Sequence, residues 1–370
     1  MPITALNIVL TTTDSWVTTN VRQLYSDLVS RNHTVILAAS LYNHQEGQLK
    51  EVVDGGDFNH LLPVHQTYYK NVYKINNGRG AKNVIKRRQF EPVNTIDFGQ
   101  DPEDENIWYI NDESLNILAK TIDVILPTYY PDFVADLIIV GPNEYLELHY
   151  QRSSPVTALI NYGISKNITT LAFSTQDINH IYFQDESQFV NRGKFKHHSV
   201  ARKSQFLNAR INQVIDYLNC SDVKGVSVHF PNMNHRNKCL GIRPKFHQVD
   251  STMVFEDLSV GKFELKDNKI VELSNGIIKR KQTQDGYTPA HSQTPFLPKY
   301  DTLSVLDECG ISLELVDENT ENIAKDQYDL EAEILAHPEP MFRRHKTWRR
   351  FFKIRYWRRM MRYYYYKYTK

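Results

Sequence analysis

The apolar positions at the start of this chain switch from a continuous run to helical spacing and back. Residues 6–11, Leu6-Asn7-Ile8-Val9-Leu10-Thr11, form a short apolar run closed by a polar turn, which predicts a buried strand. Val17, Val21, Leu24, Tyr25 and Leu28 then recur at i, i+4, i+7, i+8 and i+11, one face of a helix that Asp14 or Ser15 is placed to cap. Residues 34–39 give a second buried strand. Strand, helix, strand over this length is a βαβ unit, which makes a parallel sheet with a right-handed crossover.

Residues 42–107 lose this regularity and read as a long insertion or hairpin region, with a basic cluster at Lys86-Arg87-Arg88 and an acidic turn at Asp101-Pro102-Glu103-Asp104-Glu105. The pattern resumes with a helix over 114–122, a strand over 124–126, and a near-continuous apolar strand over 136–140 running into Gly141-Pro142-Asn143. Pro155 stands where the first turn of a helix belongs, with Ser153 or Ser154 as its cap. A strand over 170–173, a long amphipathic helix through Phe206, Ile211, Val214 and Leu218, and a strand over 226–230 closed by Pro231 follow. Residues 240–316 read as β-rich. The expected fold is α/β: a doubly wound, mostly parallel sheet with helices on both faces, followed by a β-rich C-terminal extension.

Composition adds a body that folds and a tail of another kind. Hydrophobic residues at 41% and charged residues at 24% are ordinary for a globular chain of 370 residues. The longest apolar run, residues 133–141, contains Asp136 and is far short of the roughly 20 residues of a membrane-spanning helix. The first residues lack a basic n-region, and three cysteines (Cys220, Cys239, Cys309) suit a reducing compartment, so an intracellular, cytoplasmic protein is expected. The net charge of +1 conceals a division: residues 341–370 carry twelve Lys or Arg and no Asp or Glu, leaving residues 1–340 with 32 basic against 43 acidic residues, a net of −11. The expected domains are an α/β body over 1–316, an acidic linker over 317–340 and a basic aromatic tail over 341–370.

In a doubly wound sheet, ligands bind at the carboxyl ends of the strands. The loops there give Asp14 as carboxylate, Asn143 as amide, hydroxyls and a helix N-terminus, a set suited to Mg²⁺ or Mn²⁺ and to phosphate. On spacing alone, the plainer reading of Asp14 as an N-cap is the favoured one. Cys220, His229, His235 and Cys239 lack a Cys-x-x-Cys knuckle, so buried thiols are expected rather than a zinc site. Gly78-Arg79-Gly80-Ala81-Lys82 lacks the strand and spacing of a phosphate loop, and His197-His198 among lysines reads as a solvated face.

Three blocks stand in the order and spacing of the SurE family: Asn7-Ile8-Val9-Leu10-Thr11-Thr12-Thr13-Asp14-Ser15, then Pro131-Asp132 to Asp136-Leu137-Ile138-Ile139-Val140-Gly141-Pro142-Asn143, then Ser154-Pro155-Val156-Thr157 through Thr170-Leu171-Ala172-Phe173-Ser174. The chain resembles that family over roughly residues 6–316, with insertions. The resemblance implies a metal-dependent phosphomonoesterase of the 5'/3'-nucleotidase or acid-phosphatase type, with a homodimer built by exchange of C-terminal elements. It implies Asp14 and Asn143 as metal ligands, Asp14 and Ser154 as catalytic residues, and Thr13, Ser15 and Ser154 facing the phosphate. The departures fall on the chemistry. The family's Asn-Asp-Asp-Gly is Thr12-Thr13-Asp14-Ser15 here, so one of two metal-binding carboxylates is absent. Its metal-binding Ser has no counterpart in Asn43-His44-Gln45-Glu46-Gly47, where His44 and Glu46 are the candidate substitutes. Ser-Gly-Thr becomes Ser154-Pro155-Val156.

In the tail, Arg343, Arg344, Arg349, Arg350, Arg355, Arg358 and Arg359 alternate with rings such as Trp348 and Trp357, with no apolar stripe. Cations for phosphates and rings for unpaired bases suit RNA; an anionic membrane surface or protein partner, and a plain basic tail that folds back on the acidic body, are the other readings. Two functions therefore stand open: a SurE-like phosphatase with weakened or lost activity, and a catalytically inactive SurE-like binding protein that uses its tail.

Overall fold

The structure, a computed structural model, describes residues 5–40, 98–101, 104–144, 146, 154–176, 199–218, 223–233, 239, 244–249, 258–267, 269–278 and 302–315. The linker over 317–340 and the tail, with Trp348, Arg349, Arg350, Arg355, Trp357, Arg358 and Arg359, lie outside the described residues. So do His44, Glu46, the Gly78 to Lys82 segment, His197, His198, Cys220 and His235.

Eleven strands are described: β1 (Asn7–Thr11), β2 (Thr34–Ser40), β3 (Phe98–Asp101), β4 (Asp104–Ile110), β5 (Leu137–Asn143), β6 (Thr169–Thr175), β7 (Gly225–Phe230), β8 (Phe246–Val249), β9 (Leu258–Lys266), β10 (Lys269–Ile278) and β11 (Ile311–Leu315). Nine form one sheet in the order β3-β4-β2-β1-β5-β6-β7-β11-β8, and β9 and β10 form a separate antiparallel pair. From β4 across to β7 every pairing is parallel. The edges are mixed: β3 runs antiparallel to β4, and β11 is antiparallel to β7 while parallel to β8.

Successive residues of the central strands feed opposite faces, which is why their sequences are apolar without alternation. Ile8 and Leu10 of β1 enter one core and Val9 the other. Helix α1 (Thr19–Ser30) covers the first face with Val21, Leu24 and Leu28, all fully buried. The second face is covered by α2 (Ser114–Lys120), a wide turn at Thr121–Ile125, α3 (Leu126–Tyr129) and α4 (Pro155–Ser165). Helix α5 (Ser199–Leu218) joins α1 on the first face through Leu207, Ile211 and Val214. Each such apolar side chain contributes about 1.5–3 kcal/mol by leaving water. Helix α6 (Thr302–Asp307) leads into β11.

Two expectations are corrected, and a third is given detail. Residues 124–126 are helical, because Ile117, Leu118, Thr121, Val124 and Ile125 are buried at helical spacing and carry α2 onward through the wide turn. Of the acidic residues at 101–105, Asp101 ends β3 and Asp104 begins β4, and both are tied to α1: Asp101 pairs with Arg22 at 2.7 Å, and Tyr25 donates to Asp104 at 2.8 Å. Cys239 and Cys309, expected as thiols, form a disulfide with Cα atoms 5.0 Å apart. Cys239 follows β7 and Cys309 precedes β11, and the pairing of those strands brings the two cysteines together across 70 residues of sequence.

Candidate functional site

Taken in chain order, the parallel strands β1, β2, β4, β5, β6 and β7 run outward from β1 in two directions, so the connections reverse between β1 and β5. The crevice at the carboxyl ends of those two strands is where such a sheet binds ligands. Two loops meet there, Thr12 to Ser15 after β1 and Asn143-Glu144 at the end of β5.

A short polar network ties them together. The Thr12 hydroxyl donates to Asn143 Oδ1 at 2.8 Å, and the Thr13 backbone N–H donates to the same oxygen at 3.1 Å. The Asp14 N–H donates to Thr12 Oγ1 at 3.0 Å. Asp14 closes the ring: its Oδ2 accepts from the Glu144 backbone N–H at 2.7 Å. Asp14 therefore joins β1 to β5, and the α1 N-cap falls to Thr18, with no side-chain cap bond. Ser15 accepts from Thr18 and bridges to Ser40 of β2. Asp14 is 6% exposed, Glu144 2% and Asn143 0%, so this polarity is held away from water.

Burial above all, and the Glu144 charge after it, push the Asp14 carboxyl up to about 8, against a smaller lowering by the Glu144 N–H. Sequence reasoning counts a single carboxylate at this edge; the structure adds Glu144 as a second that acts on Asp14 through its charge. The signal for it in the sequence is its place next to Asn143, just past a strand end at the switch point.

Gly141 fixes how the turn at the irregular end of β5, Gly141 to Glu144, lies. It sits at φ 103°, and a β-carbon there would collide with the Phe173 carbonyl oxygen and the Asn143 nitrogen, so the turn lies directly on β6. Asn143 resumes pairing opposite Ser174 after an irregularity in the ladder. Ser154 is the N-cap of α4, with Pro155 at the first helical position, as the sequence predicts; Ser154 is buried and its side chain makes no cap bond. Because α4 connects parallel β5 and β6, its N-terminus lies at the same sheet edge as Asp14.

Among the described residues no group of three His, Cys, Asp or Glu side chains converges as a metal site. Two buried carboxylates, one with its ionisation suppressed by burial and then by the other's charge, nevertheless suit a hard divalent cation, which is commonly held by one or two carboxylates together with substrate phosphate. The Asn143 oxygen already accepts two hydrogen bonds, while its Nδ2 has no partner among the described residues. His229 is bonded to Ser174 at 2.6 Å and Cys239 is in the disulfide, so those two members of the drawn zinc set do not form a metal site together.

No family model matches the chain. It is similar to an acid phosphatase of Yarrowia lipolytica, 27% identical over 183 residues, which are 49% of this chain and 44% of that protein. The matched part thus spans less than half of the curated relative. Among the described residues no helix is long and apolar enough to cross a membrane.

Proposed function

We propose that this chain is a metal-dependent phosphomonoesterase of the acid-phosphatase or nucleotidase type, with its centre in the crevice between β1 and β5. The observation that carries the reading is the pair Asp14 and Glu144, buried together at the carboxyl edge of the sheet at its switch point. Similarity to the Yarrowia lipolytica acid phosphatase supports the reaction class.

Asp14 and Glu144 would hold Mg²⁺ or Mn²⁺, Glu144 supplying the charge that Thr13 lacks. When bound, such an ion neutralises the phosphoryl oxygens and acts as a Lewis acid. Asp14 also orients the attacking water. Asn143 and Thr12 fix the two loops against each other, and that keeps both carboxylates in place. Thr13, Ser15 and Ser154 face the phosphate, with the first turn of α4 offering backbone N–H groups to its oxygens.

The test is phosphate release from p-nitrophenyl phosphate and from nucleoside monophosphates, with Mg²⁺, Mn²⁺ or EDTA. Release by the full chain should require the cation and should fall at least about 100-fold in Asp14→Asn and about 10-fold in Glu144→Gln, since even changes around a metal's direct ligands cost about 10–100-fold. Turnover no higher than that of Asp14→Asn sinks the reading. A second reading rests on the tail, with twelve cations and no carboxylate: an inactive fold that binds RNA through residues 341–370. That binding would be indifferent to Asp14.

A further inference from the structure

A second buried polar group stands beside the site, and the phosphatase reading gives it no role. His229 of β7 is 1% exposed, in a row that crosses the sheet. In register, Asn143 of β5 lies opposite Ser174 of β6, and Ser174 opposite His229. The Ser174 hydroxyl is 2.6 Å from His229 Nδ1. On the other side of the ring, Nε2 is 3.3 Å from Ser227 Oγ and 3.9 Å from Glu314 Oε2 of β11. Ser174 and Glu314 are themselves 3% and 2% exposed.

The row is polar on both sides of the ring. A hydroxyl can donate or accept, so either tautomer of the ring keeps a hydrogen bond to Ser174. That bond fixes the end of β6 at Ser174, next to the Phe173 carbonyl on which the Gly141 turn lies. The turn in turn presents Asn143 to Thr12 and Thr13, and the Glu144 N–H to Asp14. An unbroken series of contacts therefore runs from Glu314 and Ser227 through His229, Ser174 and the turn to the carboxylate pair. Plain apolar packing would have filled these positions without the cost of burying a histidine and a glutamate.

We propose that His229 is a positioning residue of the candidate site: through Ser174 it holds the turn that carries Asn143 and Glu144 against Asp14. It touches no substrate. In its kinetic part the proposal rests on the phosphatase reading, and its structural part stands apart from that reading.

Two readouts on the full chain test it. The first is hydrogen exchange of the Glu144 amide, the N–H that Asp14 accepts. In His229→Ala and in Ser174→Ala that amide should exchange at least about 10-fold faster, while amides in β2 keep their wild-type rates. His229→Asn, whose amide reaches the Nδ1 position, should restore protection. The second readout is steady-state phosphate release. His229→Ala should lower kcat about 10-fold with KM within about 2-fold, His229→Asn should recover most of it, and the Ser174→Ala, His229→Ala double variant should be no worse than either single variant. Unchanged exchange at Glu144, or equal loss of protection in every strand in both His229 variants, overturns the proposal. If the wild-type chain releases no phosphate, the phosphatase reading falls and the exchange result still decides the role of His229.

Discussion

Asp14 carries an unusual burden for a carboxyl group. Its ordinary value is 3.8, and in the folded chain burial and the Glu144 charge raise it to about 8. The sign of the consequence follows from proton counting: between those values the folded state binds a proton that the unfolded state has released, so stability falls as pH rises. The contribution is complete below about pH 4 and is lost as pH climbs through about 8. Asp14→Asn has no proton to lose there. In EDTA, the melting temperature of the wild type should therefore drop more between pH 5 and pH 8 than that of Asp14→Asn, and Mg²⁺ or Mn²⁺ should lessen the drop in the wild type alone. Parallel profiles for the two proteins would mean that neither burial nor the Glu144 charge keeps Asp14 protonated.

At the level of elements, the turn at the end of β5 does more than join a strand to a loop. Gly141 takes a backbone conformation that L side chains rarely adopt, and it does so against the Phe173 carbonyl. Gly141→Ala meets both obstacles, and residues forced into such regions cost about 1–3 kcal/mol. Urea denaturation should show a loss of that size. Phosphate release should fall further than the stability loss explains, because Asn143 and Glu144 move with the turn. Normal turnover in a destabilised Gly141→Ala protein would separate the turn from the site. What the sequence disclosed about these elements follows the same logic. Buried strands such as β1 and β5 and the face of α1 were legible because apolar spacing reports them directly. Residues 124–126 were not, since a run of three apolar residues fits a strand or a helix equally. Asp14 and Asn143 were legible as strand-end polar residues. The bond from the Glu144 N–H to Asp14, the His229 row and the disulfide depend on which strands lie side by side, and no local pattern encodes that.

For the molecule as a whole, charge is divided along the chain. Residues 1–340 carry a net of −11, and the twelve cations of residues 341–370 bring the total to +1. An acidic body repels polyanions, so any affinity for RNA must come from the tail and must depend on salt, because each neutralised phosphate releases counterions. If about six of the cations engage single-stranded RNA, the logarithm of the binding constant should fall with the logarithm of salt concentration at a slope of about −4. Fluorescence anisotropy of a labelled unstructured RNA, titrated with the full chain between 50 and 200 mM salt, measures that slope. Deleting residues 341–370 should abolish binding, and Asp14→Asn should leave it intact. Equal binding by the truncated chain, or a slope near zero, would remove the RNA reading. Tighter binding to anionic lipid vesicles than to RNA would replace it with a membrane surface. A tail that bound RNA on a body that also released phosphate would make the two readings parts of one function, with the tail delivering a nucleic-acid end to the crevice between β1 and β5. Deleting residues 341–370 would then raise KM for an RNA 3'-phosphate while leaving turnover of p-nitrophenyl phosphate unchanged.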